Sequence, residues 1–192
     1  MTDDFIKAFN QTMVSEVGSN FNPNDPDVIA GLIDTPAQRK KAGFTDITGD
    51  RGGVTKFGIA QNSHTDVSVK DLTLAQAMEI YERDYWQAGK CDKMLYPISF
   101  VHFDACVNHG LGGAAKQLQR ALGFSGTAVD GAIGNGTLTA IASAEPLDLT
   151  NKILDQREAF FNRIVEKDPS QVKFLKGWLN RISHLRAAFT LK

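Results

Sequence analysis

The chain has 192 residues, 42% hydrophobic and 22% charged, the balance of a globular protein with room for one or two small domains. Its 21 Lys and Arg stand against 22 Asp and Glu, and the formal net charge of −1 excludes a uniformly basic nucleic-acid binder. No apolar run approaches the roughly 18 residues that a membrane-spanning helix needs. The charge is unevenly placed: residues 1–50 carry eight acids and four bases, residues 147–192 five acids and nine bases.

In chain order, Phe5, Ile6, Phe9, Met13 and Val17 recur at helical spacing and predict a helix over about 3–17, with Gly18 as its stop. Residues 19–53 are rich in structure breakers, with Asn, Pro and Asp over 22–27 and Gly43, Gly49, Gly52 and Gly53 after them. Residues 44–48 and 54–59 are expected to be short strands facing each other across a glycine turn. Thr73 and Gln76 form a capping-box pattern, and Leu74, Ala77, Met78, Tyr81 and Tyr85 make the buried stripe of the helix it opens. Pro97 opens a helix that reaches about His109. Gly110, Gly112 and Gly113 interrupt it, and a further helix follows over 114–122. Eight of the 17 glycines fall between 110 and 136, which suits short helices joined by tight turns. Long helices follow over about 147–167 and 171–189, the last burying Val172, Leu175, Leu179, Ile182 and Phe189. The pattern predicts a mainly α protein with one small hairpin and a division near Lys90 into residues 1–90 and 91–192. With no Ser, Gly or Pro run between them, the two parts are expected to pack together.

The usual cofactor signals are absent: no G-x-G-x-x-G, Walker loop, H-E-x-x-H or G-x-S-x-G occurs. His102 and His109 are seven residues apart and share a helix face, but no third ligand joins them, so packing or capping is expected and no metal. Cys91 and Cys106 have neither zinc nor redox spacing and read as small buried residues. Glu16, at the end of the first helix, and Asp50 and Thr55, around the expected hairpin, suit glycosidic cleavage. One carboxyl group must protonate the leaving oxygen; another must stabilise the oxocarbenium-like centre or activate a water. The same residues also read as a surface acid and a hairpin turn.

Glu16-Val17-Gly18, followed by Gly49-Asp50-Arg51-Gly52-Gly53-Val54-Thr55-Lys56-Phe57-Gly58-Ile59, resembles glycoside hydrolase family 108, the lysozyme-like N-acetylmuramidases of phages and bacteria. Tyr81 to Trp86 resembles that family's Y-x-x-x-Y-W segment. Phe103 to Gly110, Leu118 to Gly123 and Val129 to Gly134 resemble blocks of the peptidoglycan-binding domain that follows it. The resemblance implies a lysozyme-like helical domain with a small β-hairpin packed against an all-helical C-terminal domain. It implies Glu16 as general acid, with Asp50 and Thr55 as its hairpin partners. Two departures stand out. Val17 replaces the usual Gly, and 33 residues separate Glu16 from Asp50, more than the family pattern has, which leaves Asp50, Asp46 and Asp25 as candidates to face Glu16.

Tyr85 and Trp86 suit either stacking on sugar rings or packing, and Tyr81 suits packing against the first helix. Asn108 and His109, at a helix end beside glycines, suit either capping or contact with peptidoglycan. Asp130 before Gly131 reads as a turn former. The bases of the last helix read as a solvated face or as attraction to an anionic surface. The resemblance implies peptidoglycan as partner, no cofactor, a monomer, and β-1,4 hydrolysis between N-acetylmuramic acid and N-acetylglucosamine by a phage-type endolysin. A lytic transglycosylase, a metal-dependent amidase and a non-catalytic binding protein are the rivals. The acidic start Met1 to Asp4 does not read as a signal peptide, so synthesis in the host cytoplasm and action at the wall are expected.

Overall fold

The computed structural model describes residues 1–46 and 53–190, the side chain of Thr190 excepted. The chain divides into two units, Met1–Arg83 and Asp84–Lys192. The fold is mainly α.

In the first unit, α1 (Asp3–Val17) buries Phe5, Ala8, Phe9, Thr12 and Met13 along one face, the stripe that the helical spacing predicts. Thr2 caps its start, and Asp3 and Asp4 in the first turn complement the helix dipole. Phe9 packs edge-on to Phe21 and Tyr81, with ring centroids 6.4 and 5.4 Å away. The stretch expected to be irregular folds into two short helices, α2 (Pro26–Ala30) and α3 (Pro36–Lys41). Asp25 caps the first, while Thr35 and Gln38 form a capping box on the second, and each starts on a proline whose missing N–H costs nothing there. Lys41 binds both Asp25 and Asp27, at 2.8 and 3.0 Å, and ties the two helices together.

The hairpin is smaller than expected and displaced from the glycine turn. Strand β1 (Thr55–Lys56) pairs antiparallel with β2 (Ile59–Ala60), in the register Thr55 to Ala60 and Lys56 to Ile59. Residues 54–59 are therefore not one strand. Their turn is Phe57-Gly58, both at positive φ (52° and 75°), as a two-residue hairpin loop with right-handed strand twist demands. Thr45 bridges the other edge of Thr55 through two 2.9 Å backbone hydrogen bonds. The glycine turn itself, with Asp50 and Gly52, lies outside the described residues. Helix α4 (Leu74–Tyr81) begins with the predicted Thr73–Gln76 capping box and widens into a π-helical stretch over Glu82–Gln87.

The second unit is helical. Helix α5 (Ile98–Ala121) is broken at Gly110, whose φ of 72° and ψ of 161° lie far from helical values. Helix α6 (Asn135–Ala142) is short; α7 (Pro146–Lys167) packs against both α5 and α8 (Val172–Thr190). The core includes Phe100, Phe103, Leu118, Leu149, Ile153, Phe161 and Ile182. Val172, expected in the buried stripe of α8, is instead 59% exposed, because burial on this helix concentrates at Ile182 and Leu185, nearer its other end.

One ionic cluster joins three helices. The fully buried Asp104 of α5 accepts from Arg157 of α7 at 2.7 Å and from Arg181 of α8 at 2.9 and 2.8 Å. Burial alone would raise the Asp104 carboxyl, but the two guanidinium groups more than offset it and hold it below the usual carboxylate range.

Candidate functional site

Glu16 occupies the last turn of α1 and is half-buried. Its neighbour across the fold is the hairpin turn. A Cβ built on Gly58 would lie 3.4 Å from Glu16 Cβ, 3.8 Å from Glu16 Cγ and 2.6 Å from the Tyr81 hydroxyl. The absence of a side chain at Gly58 is thus what lets the hairpin approach the carboxyl-bearing end of α1. Tyr81 fixes that approach from below. Its ring is buried on Phe9, and its hydroxyl donates to the Phe57 carbonyl at 3.0 Å, inside the turn. The packing expected for Tyr81 is what the structure has, with a hydrogen bond added.

Thr55 lies half-buried on β1. Successive strand residues face opposite sides, so Thr55 is turned away from the buried Lys56 beside it. Lys56 donates from Nζ to the carbonyls of Gly31 and Lys70 at 2.6 and 2.7 Å. Burial pushes its pKa down, against the opposing pull of Asp71. Lys56 thereby anchors β1 to the α2 segment and leaves the other face of the strand to Thr55.

Of the three carboxylates left open as partners of Glu16, Asp25 is committed elsewhere. It caps α2 and binds Lys41, whose hydrogen bond holds the Asp25 carboxyl below its ordinary range. Asp46 is exposed, next to the Thr45–Thr55 bridge, and Asp50 lies outside the described residues.

Trp86 corrects an expectation. It is only 3% exposed and meets Phe103 edge-on at 5.7 Å, so its ring is a packing element rather than a platform for a sugar. Tyr85 is half-buried against Ala105, Cys106 and Ala114. Asp130 accepts from Gln119 at 2.7 Å and from the Ala132 N–H at 2.9 Å, the turn role expected of it.

Asn108 and His109 precede the break at Gly110. Asn108 Oδ1 and His109 Nε2 are both buried without a hydrogen-bond partner among the described residues. The His109 ring packs on Phe160 and Phe161, at 5.3 and 5.2 Å. Burial, with Arg157 and Arg181 adding to it and Asp104 opposing, lowers the His109 pKa to about 3, so the ring is neutral at physiological pH. Beside it runs a groove of about 480 Å³ between α5 and α7, to which Lys116, Gln117, Arg120 and Arg163 contribute. The sequence reading missed these four. Their signal was Lys116 and Arg120 four residues apart on one helix face, with no acid spaced to pair with either.

The fold also gathers Cys91, His102 and Cys106, whose donor atoms all lie within 4.8 Å of one another in the buried interior of the second unit. Cys106 Sγ is 3.6 Å from His102 Nε2, which also lies 3.2 Å from the Gly89 carbonyl. Burial pushes the Cys91 thiol well up; Cys106 is pulled down, by its hydrogen bond with Cys91 and by His102. Two sulfurs and an imidazole form a set that a soft or borderline metal ion accepts. Spacing along the chain did not reveal it, because Cys91 sits on a separate turn of 3₁₀ helix.

The basic tail is partly committed. Arg181 binds Asp104, and Arg186 meets Asp155 and Asn151 of α7. Lys173 and Lys176 remain exposed, and Lys192 lies outside the described residues.

Residues 38–110 match the family described as glycosyl hydrolase 108, and residues 113–183 match the predicted peptidoglycan domain. The first match begins beyond Glu16. Among solved structures, the chain is similar to SagA of Brucella abortus, with 26% identity, a TM-score of 0.69, and coverage of 98% of this chain and 96% of that one. No curated protein matches it.

Proposed function

We propose that the chain, whose residues 38–110 match the glycosyl hydrolase 108 family and whose residues 113–183 match the peptidoglycan domain, cleaves the β-1,4 bond between N-acetylmuramic acid and N-acetylglucosamine, with Glu16 as general acid. The observation that carries this reading is the close approach of Glu16 to the hairpin turn at Gly58, with Thr55 on the adjoining strand. In the proposed reaction Glu16 gives its proton to the glycosidic oxygen as the bond breaks. Asp50 stabilises the oxocarbenium-like centre or activates the attacking water, and Thr55 orients that water. A positioned acid contributes about 10²–10⁴-fold in rate. Asn108 and His109 contact the wall polymer in the second unit.

We read the enzyme as a phage-type endolysin, made in the host cytoplasm as a monomer and acting on the wall once released. Expression in a bacterial host tests this role: lysis is expected only after the inner membrane is permeabilised.

The catalytic assignment is tested by digesting purified peptidoglycan with wild type and with Glu16→Gln and analysing the products by mass spectrometry. New reducing N-acetylmuramic acid ends, lost in the variant with an unchanged melting temperature, are the expected result. Ends in the 1,6-anhydro form would make the enzyme a lytic transglycosylase instead. A Glu16→Gln protein of full activity would overturn the role of Glu16.

A further inference from the structure

The groove between α5 and α7 has a composition that packing does not explain. Lys116 and Arg120 stand one helical turn apart on α5, and Arg163 faces them from α7. Among the described residues, no Asp or Glu lines the groove. None of the three cations makes an ion pair among the described residues, whereas Arg157, Arg181 and Arg186 nearby all do. Asp130, which feels the charge of Lys116, is itself occupied by Gln119 and the Ala132 N–H.

Two polar atoms in the same lining lack partners. Gln117 is only 3% exposed, yet among the described residues its Oε1 accepts no hydrogen bond, and His109 Nε2 is equally unsatisfied. Leaving a buried acceptor unpaired is costly, so such atoms in a native site point to a ligand that completes them. Here the cations call for an anion with carboxylate or phosphate geometry, and the Gln117 oxygen calls for an N–H donor. The Phe160 ring supplies an apolar wall. In a bacterial wall, a peptide with free carboxylates offers amide N–H groups and negative charge together. Glycan freed of its peptides keeps one lactyl carboxylate on each muramic acid but lacks the backbone amides beside it, and a polyol phosphate lacks the row of amide donors.

We propose that this groove reads the stem peptides of peptidoglycan, with Lys116, Arg120 and Arg163 holding their carboxylates and Gln117 accepting a backbone N–H. The proposal rests on the reading of the chain as a wall hydrolase and adds to it the part of the polymer that is recognised. It places specificity in the second unit: peptide-bearing wall is bound, and bare glycan is not preferred.

The test is cosedimentation of the full chain in the cold with intact sacculi, alone and in competition with the soluble glycan strands that an amidase frees of stem peptides. Wild type is expected to bind intact sacculi more tightly than stripped glycan. Arg120→Gln and Arg163→Gln each lower affinity for intact sacculi about tenfold, the worth of one charge-assisted hydrogen bond, and leave affinity for stripped glycan unchanged. Converting the sacculus carboxylates to amides reproduces the loss with wild type. Gln117→Met weakens binding while its melting temperature holds or rises; a purely structural Gln117 would move stability and leave binding alone. Variants that bind intact sacculi as wild type does, or that lose affinity equally on stripped glycan, overturn the proposal. If wild type still releases sugar ends in that case, the groove alone is wrong. If wild type neither binds sacculi nor releases ends, the hydrolase reading falls with it.

Discussion

The carboxyl-bearing side chain of Glu16 lies against Gly58, so close that a Cβ there would stand 3.4 Å from Glu16 Cβ and 2.6 Å from the Tyr81 hydroxyl. Gly58 also holds a φ of 75°, which L side chains resist. Gly58→Ala therefore faces strain and a clash at once, with a cost of about 1–3 kcal/mol. The expected outcome is a lower melting temperature together with a drop in turnover of an order of magnitude or more, since a misplacement of about 1 Å at a catalytic group costs on the order of 10²-fold. Turnover per folded molecule, measured on soluble wall fragments, separates the two effects.

Tyr81 holds the same turn from the core side. Tyr81→Phe keeps the ring on Phe9 and removes the 3.0 Å hydrogen bond to the Phe57 carbonyl. A buried carbonyl left unpaired costs about 1–3 kcal/mol. Denaturant unfolding is expected to show that loss, and hydrogen exchange of the Ile59 amide, which belongs to the two-stranded ladder, is expected to accelerate.

Trp86→Phe tests packing against sugar stacking. The ring is 3% exposed on Phe103, so the smaller ring leaves a void and lowers stability by about 1–3 kcal/mol. The KM for wall fragments is expected to stay unchanged, whereas a stacking role would raise it.

The Asp104 cluster sets the acid limit of the second unit. The folded carboxyl titrates below its unfolded value of 3.8, so its contribution is complete above that pH and is lost as the pH falls through the depressed folded value. Stability is expected to fall steeply below about pH 4. Asp104→Asn leaves the fully buried Arg157 without its counter-charge and is expected to cost about 3–5 kcal/mol, flattening the acid branch of the curve.

His109 titrates in the same direction. Its folded pKa of about 3 lies below the ordinary 6.5, so the stability linked to the neutral ring is complete above 6.5 and is lost as the pH falls through 3. The ring proton resonances of His109 are expected to stay constant from pH 8 to pH 5.

Local order was legible in the sequence wherever it depends on near neighbours. The stripe from Phe5 to Met13, the Thr73–Gln76 box and the break at Gly110 each follow from residues within a turn or two of one another. Where two local signals competed, the reading failed. Residues 54–59 have the composition of one strand, yet Phe57 adopts positive φ and the segment doubles back on itself, because the distant Tyr81 donates to the Phe57 carbonyl within the turn and Lys56 donates to the distant carbonyls of Gly31 and Lys70. Pro26, read as a breaker, instead begins a helix, as Pro36 does, since the first helical position needs no N–H.

The sequence by itself determined the helices that carry an apolar stripe, which acids and glycines stand near the hairpin, and which family the chain resembles. The tertiary structure alone decided which charges are spent and which are left over. Asp104 finds Arg157 and Arg181 at separations of 53 and 77 residues, while Lys116, Arg120 and Arg163 find no acid among the described residues. A base on a helix reads the same in either case. Whether it becomes a buried counter-ion or a binding group depends on what chain reversal brings opposite it, and helical periodicity carries no record of that.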